Sequence, residues 1–142
     1  PATQAFARAG DIPEAEEAYV LENAKVLIVE DEGLIALEIA DLVEAAGGSV
    51  IGPVPTVAAA LALIEAERID AAIPDGNLAD RDITPVALQL RANAVPTIIY
   101  SGVGLPGELA THLPDLPLIL KSTPVSSVVL RLGELMKRSR GN

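Results

Sequence analysis

Val26-Leu27-Ile28-Val29-Glu30-Asp31-Glu32 decides the fold: four consecutive aliphatic residues run straight into three carboxylates. An aliphatic run this short reads as a strand buried on both faces, the habit of parallel sheets. Downstream, Ile35, Ile39, Leu42, Val43 and Ala46 recur at helical spacing, with Glu38, Asp41 and Glu44 on the opposite face. That is an amphipathic helix, and Gly47-Gly48 stops it. The alternation then repeats. Ser49–Gly52 reads as a second strand, and Val57–Glu67 as a helix capped by Thr56. Asp70–Ile73 is a third strand ending at Pro74-Asp75. Thr84 reads as a cap with Pro85 at the first helical position, opening a helix to about residue 92. Thr97–Tyr100 is a fourth strand and Leu118–Leu120 a fifth. Val125, Val128, Val129, Leu132, Leu135 and Met136 form a last helical stripe. Residues 102–116 are rich in Gly and Pro, so the fourth helix is expected to be short or irregular. The order implies an α/β fold with a doubly wound parallel five-stranded sheet and helices on both faces.

In such sheets, function sits outside the carboxyl ends of the strands. The first strand ends in Glu30-Asp31-Glu32, the third in Asp75, the fourth in Ser101-Gly102 and the fifth in Lys121. Parallel strands gather these carboxylates, a hydroxyl and an ammonium at one edge. Crowded carboxylates repel each other, and a hard cation such as Mg²⁺, held by one or two of them plus a carbonyl and waters, relieves the repulsion. A carboxylate in that setting can attack a phosphoryl donor, with the Lys and the hydroxyl meeting the phosphoryl oxygens. Each fragment alone has a plainer reading. The acidic triplet suits a helix first turn, Asp75-Gly76 a turn, Ser101-Gly102 a loop, and Lys121 the surface. Their conjunction, each ending a different strand, carries the functional reading. His112, the single histidine, is read as solvent-facing and takes no role.

Composition narrows the function classes. The 142-residue chain carries a net charge of −10, has no Cys, and has one Phe, two Tyr and no Trp. The core is therefore aliphatic. An acidic surface repels phosphate backbones, which argues against direct nucleic-acid binding. Disulfides and thiolate metal sites are excluded, which fits a cytoplasmic setting. No apolar run approaches the roughly 20 residues that span a bilayer, so no membrane role is expected. Residues 1–23 are acidic and read as an N-terminal extension or linker, with a short helix near residues 13–21; residues 24–140 form the domain. Pro1 in place of Met suggests a fragment or processed chain.

The ordered set of Val26–Glu32, Asp70–Leu78, Val95–Gly102 and Leu118–Lys121 resembles the response-regulator receiver family over about residues 24–138. The run from Pro96 to Tyr100-Ser101-Gly102 resembles a subgroup with a Phe-Ala-Thr-Gly signature, with Ser101 in place of the Thr. The resemblance implies a flavodoxin-like fold with strand order 2-1-3-4-5. It implies a signalling domain of a two-component phosphorelay, and no enzyme beyond slow autodephosphorylation. Asp75 is the implied phosphoacceptor. Glu30, Asp31, Asp75 and the backbone carbonyl of Asn77 are the implied Mg²⁺ ligands, and Ser101 and Lys121 the phosphoryl contacts. A histidine kinase or histidine phosphotransfer protein is the implied donor, with a downstream protein partner and room for a homodimer. The loop after Ser101, through about residue 112, is expected to switch.

Three departures from the family pattern stand out. Pro74 removes a donor from a central strand. Ser122 follows Lys121 where the family has Pro, so a trans bond and a displaced Lys121 are expected. Leu118 stands where many receivers carry a switching aromatic. They motivate an alternative, a degenerate receiver acting as a phosphorylation-independent interaction module. An enzyme on the same fold, flavin-binding or phosphatase-like, ranks third, because Glu30-Asp31-Glu32 is the opposite of an uncharged phosphate loop.

Overall fold

The computed structural model describes residues 19–139. The elements run β1 (Lys25–Val29), α1 (Gly33–Ala45), β2 (Ser49–Val54), α2 (Val57–Ala66), β3 (Ala71–Pro74), α3 (Thr84–Ala92), β4 (Ile99–Ser101), α4 (Gly107–His112), β5 (Leu118–Leu120) and α5 (Val125–Ser139). β1 lies between β2 and β3 and pairs with both in parallel, with Val26 opposite Ala71 and Lys25 opposite Ser49. β4 pairs in parallel with β5, Tyr100 opposite Ile119. A single bridge, Ala72 to Thr97, joins the two ladders, so the strand order is β2-β1-β3-β4-β5 as expected.

The thinness of that junction follows from Pro74. Ala72 donates to the Pro96 carbonyl at 3.0 Å and accepts from Ile98 at 3.1 Å. In a parallel ladder the next donor toward β4 is two residues on. Residue 74 is a proline with no N–H, so the regular pairing of β3 with β4 stops after one step. On the other edge Asp75 donates to Val29 at 2.8 Å, and β3 stays locked to β1.

Side chains alternate across the sheet. Val26, Ile28, Ala71, Ile73, Ile98 and Tyr100 pack with α1 and α5 through Ile39, Val43, Val128 and Leu132. Leu27, Val29, Ala72 and Ile99 pack on the other face with α2, α3 and α4 through Ala60, Val86, Leu90 and Leu109. Both layers are almost wholly aliphatic, as the composition requires. α4 has only six residues, in keeping with its Gly- and Pro-rich surroundings. None of the helices described is long and apolar enough to cross a membrane.

Two caps differ from each other. Thr56 caps α2 as expected, accepting from Ala59 at 3.1 Å. Thr84 is itself the first helical residue of α3 and Ile83 is the N-cap; Asp82, just before it, accepts from the Thr84 N–H with its Oδ1 at 2.9 Å. The shorter Asp82 side chain sits in an Asx-type position that the Thr-Pro pair alone does not reveal. Most of the helix expected near residues 13–21 lies outside the described residues. The end of the segment read as extension, Tyr19–Asn23, packs on the domain. Leu21 is buried and donates to Ala46 at 3.0 Å, and Asn23 donates to Gly47 at 3.1 Å.

Candidate functional site

The parallel register brings every chemistry-bearing strand end to one edge. β1 delivers Glu30, buried by the layer above it, and Asp31, exposed at the mouth. β3 delivers Asp75, 7 % exposed. Carboxylate oxygens of Glu30, Asp31 and Asp75 lie within 4.8 Å of one another. β4 delivers Ser101, fully buried, whose Oγ accepts weakly from Val103 at 3.4 Å. β5 delivers Lys121, held in line by its own N–H donating to the Ser101 carbonyl at 2.8 Å.

Lys121 is not displaced, contrary to the sequence expectation. The Lys121–Ser122 bond is trans, since the cis bond among the described residues is Gly52–Pro53. Yet Nζ reaches Asp75 Oδ2 at 3.1 Å, Glu30 Oε1 at 3.0 Å and Glu30 Oε2 at 3.2 Å. The turn after β5 positions the ammonium without a proline. Burial pushes the Glu30 carboxyl up; the Lys121 hydrogen bond opposes this and the Asp75 charge adds to it. For Lys121, burial alone would pull the ammonium down, but its hydrogen bonds to Glu30 and Asp75 outweigh that and hold it above its ordinary value.

Asn77 joins the site through its backbone. Leu78 donates to Arg81 and Ile83 donates to Gly76, which brackets Asn77 and Asp82 as a non-hydrogen-bonded antiparallel pair. In that pairing the Asn77 N–H and C=O both turn away from Asp82. The N–H goes to Asp75 Oδ1 at 3.3 Å. Gly76 fits the same space: a Cβ there would lie 2.9 Å from Ser101 Oγ, so a larger residue would have to push the Ser101 side chain aside.

The donor set fits a small hard cation. It offers three convergent carboxylates. Glu30 Oε1 is buried and lacks an aligned hydrogen-bond donor, although it is in charge contact with Lys121. Two buried carboxylates sharing one ammonium leave negative charge over, which suits a hard cation beside them.

Sequence reasoning missed two residues. Asp80 reaches back from the β3–α3 loop to the start of α2, and its carboxylate accepts from Val57 at 3.1 Å and Ala58 at 3.4 Å. Tyr100, buried beside Ser101, donates its hydroxyl to the Thr123 carbonyl at 2.8 Å. Neither contact has a local sequence signal, because the partners are 23 residues away in both cases. His112 is exposed, as expected.

No protein-family model matches the sequence, and no curated protein matches it by sequence. Solved structures do. The response regulator PhyR from Brucella abortus is 28% identical with a TM-score of 0.72, over 92% of this chain and 56% of that one. The anti-anti-sigma factor PhyR from Bartonella quintana is 25% identical with a TM-score of 0.71, over 94% of this chain and 56% of that one. This chain thus spans little more than half the length of either PhyR protein. SdrG from Sphingomonas melonis is 36% identical with a TM-score of 0.68, over 80% of this chain and 97% of that one. Receiver domains are among the other similar folds.

The chain belongs to the response-regulator receiver family.

In this receiver, the edge that collects Glu30, Asp31, Asp75, Ser101 and Lys121 is therefore the candidate signalling site. Sequence alone brings all five to that edge.

Proposed function

We propose that this receiver accepts a phosphoryl group on Asp75, from a histidine kinase or a histidine phosphotransfer protein, and acts as a switch rather than as an enzyme. The supporting observation is the seating of Asp75. It is buried, one oxygen rests on the Lys121 ammonium at 3.1 Å, and the other is held by the Asn77 N–H at 3.3 Å. Those two contacts hold the carboxylate in one orientation, which lowers the entropic cost of an attack by it. In the transfer, an Asp75 oxygen forms a bond to phosphorus as the bond to the donor imidazole nitrogen breaks. Lys121 is placed to meet the incoming negative charge, and the Ser101 hydroxyl to donate to a phosphoryl oxygen.

Glu30, Asp31, Asp75 and the Asn77 carbonyl would hold Mg²⁺, which supplies positive charge against the phosphoryl oxygens. Ser101 stands in for the Thr of a Phe-Ala-Thr-Gly signature, and it keeps the hydroxyl while dropping the methyl.

The test is incubation with acetyl phosphate and Mg²⁺, read by intact mass. One phosphoryl mass is expected on the wild type and none on Asp75→Asn. Asp31→Ala should take up the group only at raised Mg²⁺. Retention of the mass by Asp75→Asn sinks the assignment.

The output is read as a protein partner. The likeness to PhyR proteins, one of them named an anti-anti-sigma factor, makes a sigma-factor regulator the first partner to test. The alternative, a phosphorylation-independent interaction module, predicts equal partner capture by wild type and Asp75→Asn.

A further inference from the structure

The turn that carries Lys121 into the site has an unusual support. Its main-chain ties are two: the β4–β5 bond from the Lys121 N–H to the Ser101 carbonyl at 2.8 Å, and the local bond from the Thr123 N–H to the Leu120 carbonyl at 2.8 Å. Beyond them Ser122 is exposed and the α5 helix begins only at Val125. The remaining tie comes from the core. Tyr100, 4 % exposed, belongs to the buried cluster that also holds Ile39, Ile98, Val125 and Val128. Its hydroxyl emerges under the turn, donates to the Thr123 carbonyl at 2.8 Å and lies 3.5 Å from the Lys121 carbonyl.

We infer that Tyr100 is a positioning residue for the phosphoryl site: its hydroxyl pins the 121–123 turn to the core and so aims the Lys121 ammonium at Asp75 and Glu30. The inference rests on the reading of Asp75 as phosphoacceptor. Strand geometry makes the coupling direct. Neighbouring residues on a strand face opposite ways, so Tyr100 holds the turn from the core side while Ser101 faces the phosphoryl group. One strand end thus places both phosphoryl contacts. A rigid aromatic with two rotatable bonds is suited to the task, because its ring is fixed by packing and its hydroxyl has little freedom to lose.

The test substitutes Tyr100→Phe, which keeps the ring and removes only the hydroxyl. The first readout is acylation of Lys121 by an amine reagent across alkaline pH, followed by peptide mass spectrometry with exposed Lys137 as internal reference. Loss of one hydrogen bond should raise the relative reactivity of Lys121 roughly fivefold. Lys137 stays unchanged. The second readout is the rate of phosphorylation by acetyl phosphate at saturating Mg²⁺, expected to fall by a similar factor. A merely structural tyrosine would lower the melting temperature and leave Lys121 reactivity alone, and that result overturns the inference. So does a Lys121 that reacts faster while phosphorylation keeps its wild-type rate. If the wild type takes up no phosphoryl group at all, the reading of Asp75 fails. The acylation comparison then still decides whether Tyr100 holds Lys121.

Discussion

Glu30 has an unusual task for a buried carboxylate: it faces one ammonium and one other carboxylate at once. Its protonation is therefore a gauge of the site's charge balance. Burial raises it first, Lys121 opposes and Asp75 adds. Asp75→Asn removes the repulsion, so the Glu30 carboxyl should titrate at lower pH than in wild type. Lys121→Ala removes the opposing ammonium, so it should titrate higher. Carbon-detected NMR of the Glu30 side chain checks both directions, and a Glu30 that moves the same way in both variants contradicts the geometry. The same reasoning gives the stability sign. Lys121 is held above its ordinary value, so its contribution is complete below that value and is lost as pH rises through the folded-state value.

The β3–α3 loop shows how an element is shaped by a residue far outside it. Asp80 closes the N-terminus of α2 with its carboxylate, and the same loop carries Asn77, whose N–H is held by Asp75. Removing the tie in Asp80→Ala should weaken Mg²⁺ affinity by about tenfold, the usual cost of losing support around a metal ligand. Asp80→Asn, which keeps an acceptor oxygen, should lose much less; calorimetric titration separates them. Backbone N–H donation from Val57 holds the Asp80 carboxyl below its ordinary 3.8. Its stabilising share is therefore present above that pH and shrinks as pH falls through the lower folded-state value. The melting-temperature gap between wild type and Asp80→Asn should narrow there. The loop after β4 is the other element with a stated outcome. An added Cβ at Gly102, Gly104 or Gly107 would meet nothing within 4 Å, and Val103 is exposed. Protection of residues 102–112 against hydrogen exchange should rise with beryllofluoride and Mg²⁺; change confined to α5 would count against a switch in this loop. These two loops also mark where the sequence was legible. Strand order, the strand-end residues and the Thr56 cap follow from periodicity and short-range signals. The contacts of Asp80 and Tyr100 do not, because each depends on which distant backbone group arrives beside it. Lys121 was misread for the same reason: the missing proline is visible in the chain, and the tyrosine hydroxyl 23 residues away under the turn is not.

At the scale of the whole molecule, the body begins before the first strand. Leu21 is buried against the α1 and α5 layer, and Gly133 lies so close to Val20 that a Cβ there would sit 2.8 Å from it. Leu21→Ala should destabilise the fold by about 2–4 kcal/mol, read by urea denaturation, as expected for a filled core position. A loss near zero would mean that the segment merely rests on the surface. The largest-scale feature is the one made by Pro74. The sheet is two plates, one of three strands and one of two, fastened by a single backbone rivet between Ala72 and Thr97. Glu30, Asp31 and Asp75 stand on one plate; Ser101 and Lys121 stand on the other. Whatever both sides grip at once works as a bolt through a joint, so a chemical event on a few oxygens becomes a change in the stiffness of the whole sheet.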